Sequence, residues 1–143
     1  RLSLVGSEMC IRDRYNTMPI TFSMNKKDGY FLCTYSGKIS DQTLMDAWKA
    51  FYEGDEWIPG TNELSDLSDA NPTGVTSEGL RSLAAYAKLM HAKHQVSSIK
   101  IALYAPQKVQ YGLSRIYSAL TYDSPENIEV FDDMEEAIKW VKK

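Results

Sequence analysis

The residues best suited to chemistry gather in one stretch of the chain. Asp66, Ser68 and Asp69 leave a short segment of strand character, and Thr73, Thr76 and Ser77 lead into the next helical pattern. Open α/β sheets bind ligands beyond the carboxyl ends of their parallel strands, and a helix start offers an anion free N–H groups and the positive end of a dipole. Tyr104 leaves a second strand and Gln107 opens the helix after it, so both can face the same crevice. Asp66 and Asp69 could divide acid and base roles only if their pKa values were driven apart. The same residue types also cap helices and close turns, so a purely structural reading stands beside the functional one. Arg115 could hold a carboxylate or phosphate through two parallel hydrogen bonds, or it pairs with a surface acid. His91 and His94, three apart, could share a metal, but no third ligand is evident. At a helix C-terminus their partial positive charge is favoured anyway. Cys33 lies among apolar strand residues with no base in view, which reads as a core thiol. No phosphate-binding glycine loop, nucleophile elbow, zinc helix or Cys-x-x-Cys is present. The sequence therefore assigns no catalytic residue, no metal ligand and no cofactor.

The bulk properties narrow the classes. The chain has 143 residues, 43% of them hydrophobic and 24% charged, with formal net charge −3. That length suits one domain able to bury a core without disulfide or metal staples. The acidic balance argues against nucleic acid as a partner, and no apolar run reaches the ~18 residues of a membrane helix. Cysteines at 10 and 33 exclude a disulfide-rich scaffold.

The stretch Leu4 to Arg14 (LVGSEMCIRDR) has neither helical nor strand periodicity. It resembles the translation of a transposon adapter used to build sequencing libraries, so residues 1–14 are set aside as a non-native extension. Arg1, Arg12 and Arg14 against Glu8 and Asp13 give that segment a charge of +1, leaving about −4 for the rest. Cys33 is then the one native thiol, which suits a reducing compartment and a cytoplasmic location.

The elements that must position the candidate residues follow from residues 18–143. Ile20–Met24 alternates as a strand, Asp28-Gly29 supplies the positive φ of a tight hairpin, and Tyr30–Tyr35 is the partner strand, ended by Gly37. Ser40 caps a helix whose core stripe is Leu44, Ala47, Trp48 and Phe51. Asn62–Leu67 reads as a short polar strand and residues 68–76 as a loop. A helix from Ser77 carries Leu80, Leu83, Ala84, Ala87 and Met90 inward. Ser98–Tyr104 is a buried strand. Pro106 sits at the first position of a helix with the stripe Val109, Gly112, Leu113, Ile116 and Leu120. Gly112 in that stripe suggests close approach to the sheet, or room for a ligand. Ile128–Phe131 is the last strand, and Asp132 with Glu135 opens a helix that buries Met134, Ala137, Ile138 and Val141. The aromatics Tyr30, Phe31, Tyr35, Trp48, Phe51, Tyr52 and Trp57 read as core, with some free to line an apolar pocket. The order β-β-α-β-α-β-α-β-α predicts a single α/β domain: an N-terminal hairpin, then parallel crossovers with helices packed on the sheet.

Four segments resemble a known family. They are Tyr35-Ser36-Gly37-Lys38-Ile39-Ser40, Glu63-Leu64-Ser65-Asp66-Leu67-Ser68-Asp69, Val109 to Tyr117, and Val130 to Val141. Together they are similar to the SpoIIAA-like group of bacterial proteins, related to STAS (anti-sigma-factor antagonist) domains and to the CRAL-TRIO lipid-binding fold. The resemblance implies a SpoIIAA-like, STAS-like sheet. It also implies that Gly79 stands where the switch proteins have a glycine and Glu78 where they have the phosphorylated serine, so no working phosphoserine switch is expected at Glu78 or the adjacent Ser77. The resulting expectation is a non-catalytic regulatory or protein-interaction module with a protein partner. The alternatives are a carrier or sensor of a small apolar ligand of CRAL-TRIO type, and an enzyme using the polar strand end from Asp66 to Ser77. A homodimer through the exposed first strand is also allowed for.

Overall fold

The computed structural model describes residues 18–142; the segment read as an adapter, residues 1–14, lies outside them. Five strands form one sheet in the order β1-β2-β3-β4-β5. β1 (Ile20–Asn25) and β2 (Tyr30–Ser40) pair antiparallel, with Ile20 opposite Tyr35. Their turn is closed by Asn25, whose side chain accepts from the Asp28 N–H and whose carbonyl accepts from Gly29 at φ +74°. β3 (Asn62–Gly74), β4 (Ile99–Tyr104) and β5 (Glu126–Phe131) continue the sheet in parallel. The connections are α1 (Asp41–Glu53), α2 (Ser77–Lys93) and α3 (Lys108–Leu120), and α4 (Met134–Val141) closes the chain.

Strand alternation decides which helix each residue meets. Phe31, Cys33 and Tyr35 face one side, where they pack with Leu44, Trp48 and Phe51 of α1 and with Leu80, Leu83, Ala87 and Met90 of α2. Tyr30, Leu64 and Ala102 face the other side, where α4 covers them with Ala137 and Val141. Three helices therefore cover one face of the sheet and one helix the other. The aromatic set is core: Phe22 stacks on Phe51 with ring centroids 4.1 Å apart, and Trp48 Nε1 donates to the Tyr35 hydroxyl at 2.9 Å. Cys33 is fully buried, and burial raises its thiol pKa well above the ordinary value, so it is inert packing.

The structure corrects several expectations. β2 does not end at Gly37, which takes φ +71° within an irregular register and lets the strand continue to Ser40. The expected 68–76 loop is largely strand: Asp69, Ala70, Asn71 and Gly74 pair with Ser36, Gly37, Lys38 and Ser40. Because β4 pairs with β3 between Glu63 and Asp66, this part of β2 and β3 projects past the sheet as a two-stranded parallel ribbon. Pro106 precedes the cap of α3, which is Gln107, and the cap of α4 is Asp133 rather than Asp132. On α3 the expected stripe is partly reversed. Leu113 and Leu120 turn inward, but Val109, Gly112 and Ile116 face outward, while Gln110 and Ser114 are buried. A side chain at Gly112 would meet open space, so this glycine serves no close contact.

Candidate functional site

The expected site residues do not converge on one crevice. Asp66 turns back on its own strand, its carboxylate accepting from Ser68 N at 3.0 Å and Ser68 Oγ at 2.6 Å. Gln107 and Gln110 form the opening turn of α3, and both side chains donate to the Ser68 carbonyl, with Gln110 also reaching Ala70 O at 2.9 Å. Asp69, Thr73, Ser77 and Glu78 are exposed. Thr76 caps α2 by accepting from Gly79 N. Tyr104 packs on the opposite face with the α4 cluster. Arg115 is exposed on the outer side of α3.

The start of α2, where an anion was expected, is held by a carboxylate of the chain itself. Asp41, at the first position of α1, accepts from both the N–H and the hydroxyl of Thr76. Its carboxyl group fills the space that a Cβ at residue 79 would take, which is why that position is glycine.

The two histidines part company. His94 is the exposed C-cap of α2 and meets the edge of Trp57. His91 is not a helix-end cation at the surface but fully buried, with Nε2 2.8 Å from Glu126 Oε2. Among the described residues no group of three His, Cys, Asp or Glu side chains is placed to hold a metal.

That buried histidine leads to a site the chain pattern did not reveal. Between the sheet and α1–α3 lies a cavity of about 100 Å³. Its lining runs from polar to apolar along β3. Glu63 and Ser65 come first, followed by Leu67, Ala70 and Pro72 towards the ribbon, where Ile39, Leu44, Val75 and Leu80 join them. Tyr35, Trp48, Tyr52, Tyr117 and Glu126 complete the polar and aromatic part. None of the ten expected site residues lines it.

The two carboxylates in this lining are treated differently. Glu126 is satisfied at both oxygens, by His91 on one and by the Tyr117 hydroxyl at 3.2 Å on the other. Glu63 is 2% exposed, and no protein group reaches its Oε2. Burial, with the charge of Glu126 adding to it, pushes the Glu63 carboxyl well above the usual carboxylate range. Desolvation disfavours the ionised form, so Glu63 keeps its proton to higher pH than an exposed glutamate does. Burial and the neighbouring carboxylates likewise raise Tyr52 and Tyr117, keeping both neutral.

Glu63 and Glu126 escaped the sequence reading for a physical reason. A glutamate beside core residues in a strand normally points to solvent, and period two alone does not say which face is inward. Here both faces of the central strands are covered, and the register Glu63–Ile101–Ile128 puts Glu63 on the three-helix side. The usable signal was parity: Ile128 and Val130 face the same side as Glu126.

No family model matches the chain, and no curated protein matches it. Among solved structures, the chain is similar to the crystal structure of an uncharacterized protein from the DUF3478 family with a SpoIIAA-like fold, from Shewanella loihica PV-4. The TM-score is 0.51 at 18% identity, covering 85% of this chain and 91% of that one. The likeness shows the fold expected from the sequence: SpoIIAA-like, with an antiparallel first pair and parallel crossovers. No helix among the described residues is long and apolar enough to cross a membrane.

Proposed function

We propose that this SpoIIAA-like fold serves as a non-catalytic binding module, a carrier or sensor that takes a small ligand into the cavity between the sheet and α1–α3. The observation that carries the reading is Glu63. Its carboxyl group is desolvated, its Oε2 has no protein partner, and it lines a cavity walled mainly by aromatic and aliphatic side chains, with Ser65, Gln110, Ser114 and Glu126 the other polar ones. An unsatisfied buried polar atom costs about 1–3 kcal/mol, and a ligand that hydrogen-bonds it recovers that energy. The size bounds the occupant. About 100 Å³ falls short of the ~300 Å³ at which sites for drug-sized molecules begin, so a lipid of CRAL-TRIO type does not fit. What remains is a molecule of a few heavy atoms, no larger than the benzene that a dry cavity of about 150 Å³ accepts. Thermal unfolding against a panel of compact metabolites tests the proposal. At least one should stabilise the chain, and the cavity-filling change Ala70→Leu should abolish that gain. A panel with no stabilising member would overturn it.

A second reading, a protein-interaction module of STAS type, is supported by the outer face of α3. Val109 and Ile116, seven residues apart, are exposed on one flank of it, beside the exposed Lys108 and Arg115. An apolar face bordered by cations fits an acidic amphipathic segment of a partner protein. Val109→Asp with Ile116→Asp should leave folding intact and abolish capture of such a partner; a partner retained by the double variant would contradict this use of the face.

A further inference from the structure

We infer that the ligand of this cavity is a compact apolar amine, bound as its ammonium ion with the nitrogen at Glu63 and the hydrocarbon towards Leu67, Ala70 and Pro72. The inference rests on the cavity being a ligand site and names what that site selects. Three observations carry it. Two carboxylates, Glu63 and Glu126, line the cavity, and no lysine or arginine lines it. Tyr35, Trp48, Tyr52 and Tyr117 also line the cavity, and electron-rich rings of this kind attract cations. The carboxylate free to take a new partner is Glu63, since both Glu126 oxygens are engaged by His91 and Tyr117. These orient the ligand: the carboxyl groups stand at the start of β3 and β5, and Leu67, Ala70 and Pro72 lie towards the ribbon, where the Gln110 amide is already bonded to the Ser68 and Ala70 carbonyls.

The charge balance is simple. Glu63 enters the complex protonated, supported by its burial and the nearby Glu126. As the ammonium arrives, Glu63 gives the proton it holds to solvent and becomes the counter-ion, and no covalent bond in the ligand changes. Removing a carboxylate from water normally opposes a buried ion pair. Folding desolvates Glu63 as the neutral acid, so binding must meet the cost of ionising it as well as that of desolvating the ammonium, and the ion pair formed offsets both. The other titratable groups near Glu63 are Glu126, His91, Tyr35, Tyr52, Tyr117 and Cys33. Burial keeps the three tyrosines and the thiol neutral, and His91 is committed to Glu126.

Isobutylamine and its neutral counterpart isobutanol separate the possibilities, titrated into the full chain while the Trp48 indole N–H resonance is followed by NMR. The amine should bind at least about tenfold more tightly than the alcohol, a difference of about 1.4 kcal/mol, and Glu63→Gln should reduce the two to near equality. In weakly buffered solution at about pH 5, just above the ordinary glutamate pKa, the unmodified chain should release protons on binding the amine, a readout that needs no variant. If the alcohol binds as well as the amine, or no proton is released, the amine inference falls while the ligand site stands. If neither probe shifts the Trp48 signal at millimolar concentration, the ligand-site reading falls with it.

Discussion

Glu63 sets the pH behaviour of the molecule. Its pKa is raised in the folded chain above the ordinary 4.5, so the native state holds a proton that the unfolded chain has already lost. Where the native state binds more protons, stability falls as pH rises. The Glu63 contribution is therefore full below pH 4.5, declines above it, and levels off once pH passes the raised native value. Glu63→Gln keeps the shape and removes the titration. Urea midpoints across that range should decline for the native chain and stay flatter for the variant, and parallel curves would contradict a protonated Glu63. His91 has a different role, as the partner of a buried carboxylate. His91→Leu leaves Glu126 with the Tyr117 hydroxyl alone and should cost about 3 kcal/mol, measured by chemical denaturation. Adding Glu126→Gln should recover part of that loss. Neither residue stands out in the sequence, because burial of a charged side chain is a property of the register between strands and not of its neighbours in the chain.

At the scale of elements, the starts of α1 and α2 are tied together through Asp41. A glycine inside a helix ordinarily costs about 1 kcal/mol relative to alanine, so Gly79→Ala would stabilise an isolated α2. In this fold the new Cβ displaces the Asp41 carboxyl from Thr76, and two hydrogen bonds to a charged group outweigh the propensity gain. Gly79→Ala should destabilise the chain by about 1 kcal/mol, yet become neutral or stabilising in an Asp41→Ala background, a coupling that a double-mutant cycle reads directly. Additive effects would mean that Asp41 does not hold this junction. The ribbon has its own anchor. Gln110→Leu removes the bonds to the Ser68 and Ala70 carbonyls and should cost about 1–2 kcal/mol, with faster hydrogen exchange confined to residues 68–74. The Ser40 cap was legible because it is local chemistry, and Thr76, a candidate binding residue in the sequence, is the cap of α2. The ribbon was not, because Asp69, Asn71, Pro72 and Gly74 are turn formers that become strand only through pairing with β2. The α3 stripe misled for a related reason. Its inner face meets the ribbon carbonyls and the cavity, which select Gln110 and Ser114 over Val109 and Ile116.

At the scale of the whole molecule, the order of elements could be read in advance, since a hairpin followed by alternating strands and helices leaves few parallel arrangements, and the resemblance of four segments implied the SpoIIAA-like fold. The cavity could not. It arises where β2, β3, β4, β5 and three helices meet, and its lining draws residues from Tyr35 to Glu126. The polar strand end prominent in the sequence lies beside it, but its side chains are engaged in local bonds (Asp66, Ser68, Thr76) or exposed (Asp69, Thr73, Ser77, Glu78), while Leu67, Ala70, Pro72 and Val75 from the same stretch line the cavity. The central claim is that this interior takes a ligand. A crystal structure of the chain grown with isobutylamine tests it most directly. The account predicts density for the amine inside the cavity, its nitrogen within hydrogen-bonding distance of Glu63 Oε2 and its methyl groups against Leu67 and Ala70. A cavity holding only ordered water, with Glu63 Oε2 satisfied by it, would contradict the account.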